Sequence, residues 1–315
     1  MSCPACGERA LVPWRAARSS DGRLSARPEY ELARCRSCGT AALAPGVREE
    51  VLGALYAEGT YAEGDGRLGG ALGLVRSLAD RDRMRLLGHL APGARVFEAG
   101  AGDGRFLARL AAAGLEVAGI EPSPPYAERA RARGVAVEAV ELEDASVAPA
   151  SQDVVVLWHV LEHLDEPFEA LGRIRGWLAP GGTLLVGVPN LASLQARIGG
   201  DRWFHQDVPR HRTHFTERGL LALLGRAGFG SERVAHLLVE HNAFGMWQTL
   251  VNRLTREPDA LYRFVKSAGG RREGARDALV TALAGLPLVP VALGLELAAG
   301  AARRGGTIAV VARRG

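Results

Sequence analysis

The run Glu98-Ala-Gly-Ala-Gly-Asp-Gly104 constrains this chain more than any other short segment. Ahead of it, Arg95-Val-Phe97 reads as the end of a buried strand; behind it, Arg105-Phe-Leu-Ala-Arg-Leu110 opens a helix. Alternating glycines let the backbone turn sharply and approach a ligand closely, while the helix start supplies unpaired N–H groups. Strand, glycine turn and helix in that order form the opening unit of an α/β sheet that binds something at the turn.

The rest of the chain supports that architecture. From Pro92-Gly93 onward, short apolar runs alternate with amphipathic segments. Strands are expected at 94–99, 115–121, 135–140, 153–158, 182–188, 232–240 and 307–312. Helices are expected near 104–113, 124–133, 167–178, 191–198 and 216–227. This rhythm predicts an α/β fold with a doubly wound, mostly parallel seven-stranded sheet. With 315 residues, 47% of them hydrophobic, the chain can build one such domain and still carry small accessory units.

Four units follow from the pattern: a cysteine module at 1–45, a helical lead-in at 46–90, the α/β domain at 91–240 plus 305–315, and an insertion at 241–304. Val51, Leu52, Leu55, Leu74, Leu78, Leu86, Leu87 and Leu90 give the lead-in its helical spacing. Within the insertion, 278–302 carries Glu296 as its one ionisable residue. It is therefore long enough to meet the ~18–20-residue requirement of a membrane span. However, Pro287 and Pro290 each cost ~3 kcal/mol in a helix interior. They are expected to split the run into the two arms of an apolar hairpin, which would pack on the domain, form a homodimer or touch a membrane peripherally.

The formal net charge of +4 comes almost wholly from arginine, Lys266 being the single lysine. The arginines are interleaved with acids, so no nucleic-acid partner is expected. The start Met-Ser-Cys-Pro-Ala-Cys-Gly lacks a charged segment followed by an apolar one, which predicts a cytoplasmic location, extending to the inner face of a membrane if 278–302 touches it. In a reducing compartment, Cys3, Cys6, Cys35 and Cys38 are better suited to a metal than to disulfides. Their C-x2-C-x28-C-x2-C spacing predicts a closed, tetrahedral structural zinc site of the zinc-ribbon type.

Two features bear on the ligand of the glycine turn. Dinucleotide sites use G-x-G-x-x-G, but here Arg105 stands where the third glycine would fall, and the sequence reads G-x-G-x-G. Glu98 would repel phosphates and favour a cationic amino acid. Glu121, in Val117-Ala-Gly-Ile-Glu121-Pro, closes the next expected strand, where an acid can accept both hydroxyls of a ribose.

Glu98-x-Gly-x-Gly-x-Gly104, Glu121, Asp153-Val-Val-Val156, Trp158-His-Val-Leu-Glu-His163, Pro180-Gly-Gly182 and Val188-Pro-Asn190 together resemble a class I S-adenosylmethionine-dependent methyltransferase. Trp203 with Asp207-Val-Pro-Arg-His211-Arg-Thr-His-Phe215 is similar to bacterial methyltransferases of the ubiquinone-pathway type, many of which begin with a two-pair cysteine module. The resemblance implies a Rossmann-like fold, S-adenosylmethionine as cofactor, and an O, N or C atom of a small-molecule, glycan or lipid-linked acceptor. It implies that Gly100, Gly102 and Gly104 lie along the methionine half of the cofactor and that Glu121 holds the ribose. The adenine would meet Glu141 and Leu142, with Glu141, Glu143 and Asp144 competing for the acidic contact. His159 would lie near the sulfonium, whereas Glu162 and His163 would cap the following helix and Asp153 would order the start of its strand.

Among the downstream histidines His205, His211 and His214, His211 and then His214 are the candidate general bases, with His159 a third catalytic candidate, imidazole titrating near neutrality; the alternative is that the downstream histidines orient their loops by hydrogen bonding. Their spacing matches no familiar metal-ligand set. Two other readings stay open at this point: a nicotinamide-dependent oxidoreductase on a similar sheet, and a non-catalytic zinc-containing scaffold.

Overall fold

Val154-Val-Val-Leu157 and Leu184-Leu-Val186 are apolar on both sides of the strand, which suits strands covered by helices on both faces. In the computed structural model these strands lie at the centre of a seven-stranded sheet. The structure describes residues 2–19, 29–44, 80–238, 240–259, 261–262 and 275–315.

The sheet contains β4 (Arg95–Ala99), β5 (Glu116–Ile120), β6 (Ala136–Glu138), β7 (Gln152–Trp158), β8 (Leu178–Pro189), β10 (Phe229–Ala235) and β11 (Thr307–Arg314). Their spatial order is β10-β11-β8-β7-β4-β5-β6. Strands β4 to β8 pair in parallel, and β11 runs antiparallel between β8 and β10. The fold is thus the expected α/β class. The chain leaves β4 toward β5 on one side and returns to β7 on the other, so the crevice beyond the carboxyl ends of β4 and β7 is the switch point where ligands bind in such sheets.

Alternation along the strands divides the core. Phe97, Val155, Leu157, Leu184 and Val186 pack on one face, and Val96, Val154, Val156 and Leu185 on the other. The sheet is flanked by helices at residues 80–87 (α1), Arg105–Ala112 (α2), Pro124–Ala132 (α3), Pro167–Trp177 (α4), Leu194–Gly199 (α5) and Glu217–Arg226 (α6). β10 begins three residues before the expected 232, because Gly228, at φ +82°, turns the chain out of α6 and directly into the strand. Residues 45–79 of the expected lead-in, with Val51, Leu52, Leu55, Leu74 and Leu78, lie outside the described residues.

The N-terminal segment forms a second sheet, β1 (Leu11–Arg18), β2 (Glu29–Cys35) and β3 (Ala41–Leu43), all antiparallel. Its fourth strand, β9 (Thr213–His214), comes from the α/β part of the chain.

The insertion differs from expectation. Residues 278–302 do not form a hairpin broken at the prolines: α8 (Ala275–Ala301) is one 27-residue helix with Pro287 and Pro290 inside it. Packing offsets the lost ladder bonds. Thr281, Gly285, Ala292 and Glu296 are buried on one side, and α8 packs on α7 (Glu240–Leu254), whose Trp247 Nε1 donates to the Gly285 carbonyl at 2.7 Å. The Glu296 carboxylate accepts from Gln195 Nε2 at 2.8 Å and from Gly306 N at 2.6 Å, tying the helix to α5 and to the start of β11. The opposite side exposes Leu279, Leu283, Leu286, Leu293 and Leu297. By length and composition alone, α8 is the one helix among the described residues that could cross a membrane.

Candidate active site

The glycine turn leaves β4 at the switch point. Gly100 has φ +77°, and a Cβ built on it would lie 2.4 Å from Cγ2 of Val160. Only glycine lets the turn close against the loop after β7. Gly104, at φ +71°, precedes α2 and sits 2.6 Å from the Ala130 Cβ by the same measure. Gly102, between them, has open space where a Cβ would be. Its N–H donates to Glu121 Oε2 at 2.9 Å, while Ser123 N donates to Glu121 Oε1 at 3.0 Å. The acid at the end of β5 is therefore held against the turn by backbone donors. Burial pushes its carboxyl up, and those two N–H groups oppose the shift.

Glu141 lies close to Glu121: burial raises its carboxyl, and Glu143, Glu121 and Asp144 raise it further. Leu142 begins a short 3-10 turn, Leu142–Asp144, and is buried in the core. Asp153 accepts from Arg95 N, Nε and Nη2 at 2.9, 3.1 and 2.9 Å, which orders the starts of β4 and β7 and places it away from the crevice.

Glu98 is buried and faces Arg83 of α1, whose Nη1 is 3.4 Å from Oε1; Nη2 of the same guanidinium is 2.7 Å from Asp80. The guanidinium also stacks over Phe106 at 4.2 Å. Sequence reasoning missed Arg83, because the lead-in carried helical spacing and no motif. The acid before the turn thus already has a cationic partner from the protein itself.

His159 follows β7 with φ +56°, its N–H bonded to the Gly187 carbonyl at 2.9 Å. Burial first, then His211 and Arg83, push its imidazole down to about 3, so the ring is neutral. It stacks on His205 with centroids 5.9 Å apart. His211 Nδ1 is 2.8 Å from the His205 carbonyl, and His214 Nε2 is 2.8 Å from the Gln206 carbonyl. Since a carbonyl only accepts, each of those nitrogens carries the proton. Burial holds the His214 imidazole at about 3.

Glu162 and His163 do not cap the next helix. That helix starts at Pro167 behind Glu166, and no side chain caps it. Instead the two residues turn inward: the His163 and His211 rings meet edge to face at 4.7 Å, and Arg212 N donates to the Glu162 carbonyl at 2.7 Å. His159, Glu162, His163, His205, His211 and His214 thus gather beside the glycine turn.

The four cysteines also converge. Sγ of Cys3 and Cys38 are 3.6 Å apart, as are those of Cys6 and Cys35, and all four sulfurs lie within 4.8 Å of one another. A tetrahedron with Zn–S bonds of about 2.3 Å has edges of about 3.8 Å, so the donor set and spacing fit zinc. Thr216 Oγ1 donates to the Cys38 carbonyl at 2.7 Å while accepting from Gly219 N at 3.1 Å as the cap of α6. Arg15 also donates to the Gln206 side chain, between His205 and His211. The cysteine module therefore braces the histidine segment.

Comparison with known proteins agrees with this geometry. The methyltransferase domain family matches residues 73–233, slightly more than half of the chain. A ubiquinone biosynthesis O-methyltransferase of Xanthomonas campestris pv. campestris (strain B100) is 28% identical over 136 residues, which are 40% of this chain and 56% of that protein. The chain thus spans little more than half the length of the curated relatives it matches. Among solved structures, a chain from the complex between the Haloferax volcanii Trm112 methyltransferase activator and a methyltransferase has a TM-score of 0.51 at 18% identity, covering 85% of this chain and 99% of that one. A geranyl diphosphate methyltransferase in complex with GPP and sinefungin has a TM-score of 0.50 at 16% identity, covering 81% and 86%. At these identities the two structures support the fold alone.

Proposed function

We propose that this chain, which belongs to the methyltransferase domain family, is an S-adenosylmethionine-dependent methyltransferase that acts on an oxygen of a small-molecule acceptor. The observation that carries this reading is the Glu121 carboxylate, hydrogen-bonded to the N–H of Gly102 inside a glycine turn whose third dinucleotide glycine is replaced by Arg105. Gly100, Gly102 and Gly104 would carry the methionine half of the cofactor. Glu121, whose oxygens each keep accepting capacity beyond one backbone donor, would hold the ribose. Glu141 and Leu142 would border the adenine, and Glu98 would act through Arg83. The name of the Xanthomonas relative favours oxygen over nitrogen or carbon as the acceptor atom.

The residues at the carboxyl ends of β4 and β7 would align an acceptor for in-line attack on the methyl carbon, from which a neutral thioether departs. Orientation of this kind can account for ~7–11 kcal/mol of the barrier. Burial holds the His159 and His214 imidazoles at about 3, neutral but far below the near-neutral range in which a general base works best, so neither is given that role; His211 meets His214 edge to face. Zinc on Cys3, Cys6, Cys35 and Cys38 would fix the brace under the histidine segment. A lipid-linked acceptor has one support, the exposed leucines of α8.

Equilibrium binding tests the reading. S-adenosylmethionine is expected to bind and NADH not to; the reverse result would sink it. Methyl transfer from labelled donor to a panel of phenols, sugars and isoprenoid alcohols then identifies the acceptor class.

A further inference from the structure

Glu162 is 1% exposed, and neither oxygen of its carboxylate accepts a hydrogen bond among the described residues; Nδ1 of His159 stands 3.2 Å from Oε1 without completing one. An isolated buried carboxylate is costly unless it is paired or binds a metal. Ligand atoms of Glu162, His163 and His211 lie within 4.8 Å of one another. Both imidazoles are fixed from behind: Nδ1 of His163 is 3.2 Å from the Arg210 carbonyl, and Nδ1 of His211 is 2.8 Å from the His205 carbonyl. A carbonyl in that position fixes the proton on Nδ1 and leaves the lone pair on Nε2, the arrangement that metal-ligating histidines take from their surroundings.

We propose that Glu162, His163 and His211 bind a divalent transition-metal ion beside the glycine turn. Two imidazoles and one carboxylate are the ligand set of catalytic zinc and of non-haem iron(II), and they leave coordination positions unfilled by protein. The site is set against the donor region, because Val160, between His159 and Glu162, is the residue that packs on Gly100. In this position, and resting on the methyl-transfer reading, the metal takes the acceptor hydroxyl as a ligand and lowers its pKa, releasing its proton to solvent water. A lone pair of that oxygen then forms the O–CH3 bond as the C–S bond breaks, and the electron pair returns to sulfur. The acceptor class is accordingly a hydroxyl compound.

Cobalt(II) is the probe, added to protein whose cysteines retain zinc. The wild type is expected to take up one cobalt per chain with the weak d–d bands of nitrogen and oxygen ligation and no thiolate charge-transfer band. Glu162→Gln and His211→Asn should each weaken uptake by at least about a hundredfold, since second-shell changes alone cost about 10–100-fold. Zinc content and S-adenosylhomocysteine binding should stay unchanged, which shows that the variants fold. If Glu162→Gln fails that check, His211→Asn with the wild-type stoichiometry decides. Absence of cobalt uptake, uptake with a thiolate band, or equal uptake in both variants overturns the metal site. If cobalt binds but neither S-adenosylmethionine nor S-adenosylhomocysteine does, the methyl-transfer reading falls and the metal site stands; if only the cofactor binds, the reverse holds.

Discussion

Ala41 pairs with His214 across an antiparallel ladder, three residues beyond the last cysteine of the N-terminal module. Leu43 N extends the ladder by donating to the Arg212 carbonyl at 2.8 Å. The cysteine knuckles and the histidine segment are therefore parts of one sheet, and order in one is transmitted to the other through backbone hydrogen bonds.

If the four cysteines hold zinc, Cys35→Ser, which disrupts that site without stripping a metal from Glu162, His163 and His211, should reach the acceptor side before the donor side. The expected result is a fall in kcat/KM for the acceptor of about tenfold or more, comparable to loss of a supporting shell, with S-adenosylhomocysteine affinity changed far less. Calorimetry of cofactor binding together with steady-state kinetics checks this. Equal losses on both sides would mean general unfolding rather than loss of the brace.

Glu121→Ala removes the acceptor for Gly102 N and Ser123 N together. If the same carboxylate holds the cofactor ribose, the dissociation constant of S-adenosylmethionine should rise about 10–100-fold, the equivalent of roughly 1.4–2.7 kcal/mol. Fluorescence or calorimetric titration reads this directly, and an unchanged constant would remove Glu121 from the site.

The glycines of the turn should not be equivalent. Gly100→Ala brings a methyl group to 2.4 Å from the Val160 side chain at a positive φ. Strain and overpacking together should cost on the order of 2–4 kcal/mol. Gly102→Ala meets open space and only the left-handed backbone, so about 1–2 kcal/mol is expected. Its methyl group would project into that space, however, so cofactor binding should suffer more than stability. Thermal melts with and without S-adenosylhomocysteine separate the two effects.

Glu296 gives α8 a pH-dependent anchor. Burial raises its carboxyl to about 7 despite hydrogen bonds from Gln195 and Gly306. Its folded value lies above the unfolded one, so the folded protein holds this proton more tightly. The associated stability is fully present below the ordinary carboxyl range near 4.5 and is lost as the pH rises through about 7. Glu296→Gln should flatten that part of the stability profile between those two values. Chemical denaturation of both proteins across this range measures the difference in slope, and identical slopes would refute the assignment.

Much of the fold can be read from local pattern. The short apolar runs that mark β4, β5 and β7 and the amphipathic segments that become α3 and α6 act over a few residues, so strands and helices fall within a residue or two of expectation along most of the sheet. Pro287 and Pro290 mislead for the complementary reason. Their local cost is real, but Trp247, Gln195 and Gly306 compensate from distant parts of the chain. Glu162 and His163 look like helix caps in the sequence because the next helix begins nearby, and only the path of the 205–214 segment turns them into partners of His211.

The sequence alone determined the glycine turn, the acid after β5 and the four-cysteine set, because each is a short-range device in which spacing along the chain nearly equals geometry. Cys-x-x-Cys-Gly turns back on itself wherever it is placed, and a glycine between strand and helix has few conformations available. Tertiary structure decided the partner of Glu98, the unbroken course of α8, the strand shared between the cysteine module and the histidine segment, and the meeting of Glu162, His163 and His211. Those contacts join residues far apart along the chain, so they form only when packing of the whole sheet brings the loops at its carboxyl edge together.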